Sequence, residues 1–350
     1  MVAQVSRMTP AAEVVRLDDK AAGLDGVIVI HSTRLGPGAG GCRFWHYPDL
    51  SAATADALRL AEGMSYKNAM AGLPFGGAKA VLRRPAGDFD RGALFRAFGR
   101  AVADLGGAYV TAEDVGTTVA DMRSVAEVTR HVSGIEADAK RAGGDPSPWT
   151  AQGVFDAMQA GAAHIFGSSL RGLTVAVQGT GNVGAELCRR LADAGAELVI
   201  ADINPERRDR LEKILGARVV DVDTIHAVEA DIFAPCALGG ALTVASVGAM
   251  KARLVCGGAN NQLATPEVAE LMVNRGIAYV PDYVANAGGI ISVSAEYLGE
   301  NRAYVVARVA QIGPRVAALL EEAAAGRLSP ALVADRTAER LISGVDRVAA

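Results

Sequence analysis

Lys67 and Lys79 share one string, GMSYKNAMAGLPFGGAK (63–79), and Asp114 lies in another, TAEDVGTT (111–118). A lysine that follows Gly76, Gly77 and Ala78 can stand deep in a cleft where backbone crowds a substrate. As an ammonium it can hold a carboxylate. Burial and a second cation favour the neutral amine, which can work in acid–base catalysis. Asp114 sits just before Gly116, at a loop-facing position, and could exchange protons with such a lysine and with water. Taken singly, each of these residues reads as a solvated charge. Together, with glycines around two of them, they read as a reaction centre. His31, His46, His131, His164 and His226 show no ligand spacing, and Cys42, Cys188, Cys236 and Cys256 form no C-x-x-C. No metal site, disulfide framework or histidine general base is therefore expected.

A second string binds rather than reacts. Gly179-Thr180-Gly181-Asn182-Val183-Gly184 fits G-x-G-x-x-G, follows the apolar run 174–178, opens a helical stretch, and has Asp202 18 residues past its last glycine. That is the context a dinucleotide fingerprint requires. Gly179 permits a tight turn, Gly181 lets the backbone approach a pyrophosphate, and Gly184 lets the helix pack close to the strand. Free N–H groups at the helix start favour the phosphate charge. Asp202 would accept from ribose hydroxyls, which favours NAD over NADP, although Arg207 and Arg208 are near enough to accommodate a 2′-phosphate.

These residues need elements to hold them. From 174 onward, short apolar runs (174–178, 197–202, 231–235, 253–258, 277–282) alternate with helical stretches at 182–194 and 205–215. That alternation predicts a doubly wound parallel sheet. The first half predicts a mixed α/β arrangement, with strands at 26–32, 80–82 and 108–111 and helices at 51–67 and 91–105. The Gly- and Pro-rich 142–149 marks a boundary. The expected organisation is a mixed α/β substrate domain (1–141), a Rossmann doubly wound NAD domain (142–328), and a C-terminal helix (329–350) returning to the first.

Composition agrees. The chain has 350 residues, a formal net charge of -4, and 40 glycines, well above the usual ~7%. A balanced charge leaves no electrostatic footprint for nucleic acid. The uncharged 232–250 is about long enough to span a membrane. It contains Pro235, Gly239, Gly240 and Gly248, however, and reads as strand, turn and short helix. The opening residues lack a signal-peptide core, so a reducing cytoplasm is expected.

LGPGAGGCRFWHY, RLAEGMSYKNAMAGLPFGGAKAV, YVTAEDVGTT, DPSPWTAQGV, VAVQGTGNVG, DIFAPCALGG, GGANNQL and PDYVANAGGIISV occur in this order. With them the chain resembles the glutamate/leucine/phenylalanine/valine dehydrogenase superfamily, its leucine dehydrogenases above all, from about residue 10 to the C-terminus. The resemblance implies NAD-dependent, reversible oxidative deamination of an apolar L-amino acid to a 2-oxo acid and ammonia, in a homo-oligomer. It implies that Lys67 and the Gly40-Gly41 backbone hold the substrate carboxylate. Lys79 is the implied catalytic lysine, activating water, and Asp114 is its proton partner. It also implies that Thr150 meets the nicotinamide amide, that Cys236, Ala237, Asn260 and Asn261 line the nicotinamide ribose region with Asn261 reaching the substrate, and that Asn286 lies nearby. Ile203, after Asp202, belongs to the cofactor site. The two domains of such enzymes close on a shared cleft.

The side-chain pocket departs from its relatives. Leucine dehydrogenases usually read LGPALGG where this chain has LGPGAGG, so a leucine becomes Ala39. That opens room for phenylalanine. Ala112, Ile290 and Val293 keep the leucine type. Leucine, valine and isoleucine are the expected substrates, with phenylalanine the alternative. Shikimate dehydrogenases and malic enzymes also pair Lys with Asp before a dinucleotide domain, but lack the two-lysine, ANN and NAGG strings. A non-enzymatic NAD-binding protein would show damage at Lys67, Lys79 or Asp114, and all three are intact.

Overall fold

A computed structural model describes residues 12–135 and 142–344. The expected domain ends at 1–11 and 345–350, and the stretch 136–141, lie outside the described residues. The chain divides into two compact units between Gly144 and Asp145. Glu296–Gly299 and the chain from Thr337 onward group with the first unit. The sequence expectation had put 296–299 in the second domain and begun the returning tail at 329.

The first unit runs β1 (Glu13–Asp19), β2 (Leu24–Ser32), β3 (Gly38–Ala39), β4 (Cys42–Trp45), α1 (Leu50–Met70), β5 (Gly76–Arg83), α2 (Arg91–Asp104), β6 (Tyr109–Val110) and α3 (Val119–Ala126). Its sheet has the order β1-β2-β5-β3-β6, with β4 also paired to β5. β2 pairs β5 antiparallel, whereas β3 and β4 pair it in parallel. Strand alternation sorts β5 between two layers. Ala78, Ala80 and Leu82 join Leu94, Phe95 and Phe98 of α2 in one core, and Val81 joins Ala57, Leu60 and Ala61 of α1 in another. Each fully buried Leu or Phe contributes roughly 1.5–3 kcal/mol. Both long helices begin on an aspartate cap: Asp49 accepts from the Ala52 N–H and Asp90 from the Ala93 N–H, which satisfies an otherwise orphaned donor.

The sequence places a strand only at 80–82, but β5 begins at Gly76. Lys79 is therefore a mid-strand residue, opposite Val29 of β2. The strand's first half is glycine and alanine, which carry no apolar alternation to read.

The second unit runs α4 (Ser147–Phe166), β7 (Thr174–Gln178), α5 (Asn182–Asp193), β8 (Glu197–Ala201), α6 (Pro205–Leu215), β9 (Arg218–Val219), β10 (Ile232–Pro235), α7 (Val244–Ala249), β11 (Leu254–Val255), α8 (Glu267–Asn274), β12 (Ala278–Tyr279), α9 (Asp282–Ala285) and α10 (Gly288–Leu298), whose last residues belong to the first unit. There follow α11 (Arg302–Val309), α12 (Ile312–Gly326) and α13 (Pro330–Ser343), which enters the first unit at Thr337. The sheet is wholly parallel, in the order β12-β11-β10-β7-β8-β9. Strand order reverses at β7 and β10, the switch point where open α/β sheets bind ligands at the strands' carboxyl ends. The uncharged stretch 232–250 is β10, a turn and α7. Arg302–Gly326 is apolar enough and long enough to cross a membrane, but it comprises α11 and α12, whose Val305, Val309, Ile312, Val316, Leu319 and Leu320 are buried.

Candidate active site

Lys79 and Asp114 meet. Lys79 is 5% exposed, and its Nζ lies 3.0 Å from Asp114 Oδ2. The loop carrying Asp114 is built for rigidity. The Asp114 N–H donates to Thr117 Oγ1, and that hydroxyl donates to the carbonyls of Cys42 and Asp114. The loop also pairs with β4, through Cys42 N–H to the Ala112 carbonyl and Phe44 N–H to the Val115 carbonyl. Gly116 is required where it is, with φ +84 and an added Cβ only 1.8 Å from the Phe44 carbonyl oxygen. Burial pushes the Asp114 carboxyl up, but Lys79 and then Arg43 outweigh it and hold the group below the ordinary carboxylate range. Lys67 lies in the last turn of α1, half-buried, on the helix that covers the Lys79 face of β5.

Arg43 escaped the sequence reading. Its Nε stands 3.2 Å from Asp114 Oδ2 and its Nη1 2.9 Å from Asp56 Oδ2. It ends the string LGPGAGGCR, and the available signal was its place on a strand neighbouring β5.

Ala39, Gly40 and Gly41 form the passage from β3 to β4. A Cβ at Gly40 would meet the Ala78 carbonyl oxygen at 1.8 Å, and one at Gly41 the Glu113 carbonyl oxygen at 2.7 Å. These glycines are fixed by backbone packing, whether or not substrate also touches them. The Gly40 carbonyl is held by the buried Tyr109 hydroxyl at 2.8 Å. Asn68 Nδ2 donates to the Gly76 carbonyl at 2.6 Å and, more weakly, to that of Ala39 at 3.4 Å. Ala39 is buried and Ala112 half-buried.

In the second unit the fingerprint takes its expected form. Gly179 has φ +97, and a Cβ at Gly184 would stand 1.9 Å from the Gly179 carbonyl oxygen. Gly181 differs: a Cβ there would find only Arg207 Nη1, at 3.9 Å. Gly181 is also the N-cap of α5, with no side-chain cap hydrogen bond. The first N–H groups of α5 thus face a cavity of about 340 Å³ lined by Thr180, Gly181, Asn182, Glu186, Arg207 and Arg210, among others. A phosphate group fits this donor set. Arg207 lines the cavity, whereas Arg208 does not and pairs with Asp209. Val183 packs on the chain at Gly258.

Asp202 is more committed than its sequence role implies. Its Oδ2 accepts from the Thr180 N–H and hydroxyl, and its Oδ1 from the Asn204 N–H. A carboxylate has about four lone-pair sites, so one remains on Oδ1 for a ribose hydroxyl. Burial raises the Asp202 carboxyl, but the N–H groups of Asn204 and Thr180, with the Thr180 hydroxyl and Arg207, lower it further. Ile203 beside it is 88% exposed.

The remaining cofactor candidates form one chain of contacts. The Cys236 N–H donates to the Gln178 carbonyl, joining the ends of β10 and β7, and Ala237 packs on Gly179. The Gly258 N–H donates to Cys236 Sγ. Burial pushes the Cys236 thiol up to about 11 despite that bond, so it is a structural thiol, not a nucleophile. Asn286 Nδ2 donates to Asn260 Oδ1 at 2.8 Å and to the Gly258 carbonyl at 3.2 Å, while Asn286 Oδ1 is buried without a partner. Asn261 holds a left-handed φ of 53, and its carbonyl accepts from the Gly240 N–H. The glycines of NAGG seat α10 on α4: a Cβ at Gly288 would meet the Trp149 carbonyl oxygen at 1.9 Å, and one at Gly289 would meet Thr150 Oγ1 at 2.6 Å. Ile290 and Val293 occupy the half-buried face of α10, opposite the buried Ile291, Ser294 and Ala295.

The cysteines are free thiols. Among the described residues no cluster of three or more His, Cys, Asp or Glu could hold a metal ion.

The family model for the Glu/Leu/Phe/Val dehydrogenase dimerisation domain matches residues 7–131, and that for Glutamate/Leucine/Phenylalanine/Valine dehydrogenase matches 200–311. The chain is 46% identical to a leucine dehydrogenase of Geobacillus stearothermophilus over 331 residues, covering 94% of this chain and 90% of that one. It is 46% identical to a valine dehydrogenase of Streptomyces virginiae over 335 residues, covering 95% and 93%. An L-tryptophan dehydrogenase from Nostoc punctiforme has a similar structure, with a TM-score of 0.85, 36% identity and 96% of each chain covered.

Proposed function

The chain belongs to the Glu/Leu/Phe/Val dehydrogenase family and is an amino acid dehydrogenase with a nicotinamide cofactor; on that premise we propose that its substrates are leucine, valine and isoleucine, with NAD as the cofactor. The observation that carries the reading is the buried Lys79–Asp114 pair at 3.0 Å. In this reading Lys67 holds the substrate carboxylate by charge. A nicotinamide bound to the second unit would supply the acceptor for the hydride of the α-carbon. Asp114 removes a proton from the substrate nitrogen as the imine forms. Lys79, acting as the amine, takes a proton from the water that adds to the imine carbon and, as the ammonium, stabilises the charge that develops there. Asp114 returns its proton to nitrogen, ammonia leaves as the carbonyl forms, and the hydroxyl proton passes to Asp114 and on to solvent. Water supplies the oxygen of the 2-oxo acid.

In the second unit, Gly181 and the first turn of α5 would receive the pyrophosphate. Thr150, Asn260 and Asn286 would serve the nicotinamide end, and Asp202 the adenosine ribose. A carboxylate at that position disfavours a 2′-phosphate. The leucine and valine activities named for the 46% identical relatives support a branched aliphatic substrate. The dimerisation-domain match supports self-association.

The test is a panel of L-amino acids with NAD or NADP, following the appearance of reduced cofactor by its absorbance. Branched aliphatic substrates with NAD should give the highest kcat/KM. A higher value with phenylalanine or tryptophan would overturn the substrate assignment, and preference for NADP would overturn the cofactor.

A further inference from the structure

We propose that Arg43 is a positioning residue: a guanidinium clamp, anchored on Asp56, that holds the Asp114 carboxylate against Lys79. This rests on the assignment of Lys79 and Asp114 to the reaction. Asp114 Oδ2 is shared between Lys79 Nζ at 3.0 Å and Arg43 Nε at 3.2 Å. Arg43 comes from β4, the strand whose backbone pairs with the Asp114 loop. Its other edge is fixed by Nη1 to Asp56 Oδ2 at 2.9 Å. Asp56 is held in turn, by the Tyr47 hydroxyl at 2.6 Å and Arg59 Nη2 at 2.7 Å. A planar guanidinium joined to a carboxylate on each side cannot turn without losing one of them.

The two cations on Asp114 are chemically unlike. Lysine can lose a proton during catalysis and arginine does not. When Lys79 gives up its proton, Arg43 still favours the anionic form of Asp114, so the carboxylate relays the proton and does not keep it. Lys79 of β5 and Arg43 of β4 touch Asp114, the Cys42 thiol of β4 and the Tyr109 phenol of β6 act on it electrostatically from the core, and Glu113, next in the loop, is exposed. Burial pushes both Cys42 and Tyr109 well up, which leaves them neutral at the pH of assay.

The experiment compares wild type with Arg43→Gln, Arg43→Lys and Asp56→Asn. It measures kcat, KM, the pH profile of kcat/KM, and the 13C NMR titration of the Asp114 carboxyl. Arg43→Gln should lower kcat about 10- to 100-fold, the scale of a misplaced catalytic group, with KM for the amino acid moving less than about threefold. Its acid limb should move to higher pH, because removing a cation raises the carboxyl that must be ionised. Arg43→Lys should recover part of kcat and restore the acid limb. Asp56→Asn should give a smaller loss in the same direction, and it decides the matter if Arg43→Gln does not fold. An Arg43→Gln or Asp56→Asn enzyme with kcat and acid limb unchanged would overturn the clamp. A wild type inactive on every amino acid would instead sink the proposed substrates and roles, and the Asp114 titration would still decide the clamp.

Discussion

At Gly40 an added Cβ would stand 1.8 Å from a carbonyl oxygen; at Gly181 it would find nothing nearer than 3.9 Å. Both glycines come from strings that sequence reading assigned to ligand contact. In the first unit the glycines are where they are because backbone meets backbone: Gly40 on Ala78 and Gly76 on Ser32 beside the sheet's strands, and Gly77 on Ser65 of α1. The chemistry proposed there rests on Lys79 and Asp114, with Arg43 holding the carboxylate, charged side chains joined through Asp114 Oδ2. In the second unit Gly179 and Gly184 also serve packing, but Gly181 leaves space, and the groups facing it are backbone donors of α5. One region acts through side chains held by backbone, the other through backbone uncovered by missing side chains. Damage to the two should therefore look different.

The largest effect should come from Lys79→Ala. Loss of an acid–base group that touches the reacting atoms costs about 10²- to 10⁴-fold in kcat. NADH affinity, read by fluorescence titration, should hold, since the cofactor fingerprint lies in the other unit. Near-normal turnover in Lys79→Ala would remove the basis for calling the first unit the chemical half. The truncation also leaves Asp114 paired with the Arg43 guanidinium alone of its two ion-pair partners at Oδ2. Like Arg43→Gln, Lys79→Ala should therefore raise the Asp114 carboxyl. A carboxyl held low in the folded state stabilises above its unfolded pKa, and that contribution is lost as pH falls through the folded pKa. Both variants should thus lose part of the wild type's acid-sensitive stability.

Next come two single-methyl additions in the fingerprint. Gly181 has φ -65, which alanine adopts freely, and open space around it. Gly181→Ala should keep its Tm within about 2 °C, a change below ~1 kcal/mol, yet weaken NADH binding about tenfold or more by intruding where phosphate would lie. Gly184→Ala puts a methyl against the Gly179 carbonyl oxygen and should lower Tm, by the roughly 0.5–3 kcal/mol typical of strained packing. If Gly181→Ala binds NADH normally, the space at Gly181 does not serve the cofactor and the contrast between the units fails.

Legibility in the sequence followed the same division. The second unit's strands at Thr174–Gln178 and Glu197–Ala201 and its helices from Asn182 and Pro205 were visible in periodicity, because a parallel sheet covered on both faces needs continuous apolar runs. α4 was missed, since its start, PSPWT, reads as a boundary although Pro148 suits a first helical turn. β1 was missed because EVVRLDD lies at a sheet edge, with most of its side chains in solvent. In the site, residue types revealed Lys79 and Asp114, and their 3.0 Å meeting needed the fold. Arg43 and Asp56 were hidden for a physical reason. A charge that acts by holding another charge leaves no motif of its own, only a position on a neighbouring strand or helix. Glu296 is a similar case: it accepts from the N–H groups of Gly134 and Ile135, contacts that help group its short segment with the first unit and that no spacing foretells.

The smallest effect belongs to the pocket and tests the first unit's finest feature. Ala39 is buried in β3, paired with Gly77 on one side and Val110 on the other. Its side chain is a methyl where the resemblance to leucine dehydrogenases implies a leucine. Ala39→Leu adds bulk at a packed position, so some stability cost is expected, about 1–3 kcal/mol for overpacking, and Tm must be measured beside activity. The informative quantity is a ratio that a uniform stability loss leaves unchanged. Filling an apolar pocket by a few methylenes changes discrimination by roughly 10- to 200-fold. The ratio of kcat/KM for phenylalanine to that for leucine should fall by about the lower figure, since the larger ring needs the volume that Ala39 leaves. A rise in that ratio would mean that Ala39 faces packing alone, like Gly40 beside it. The selectivity of the first unit would then have to be sought on other residues.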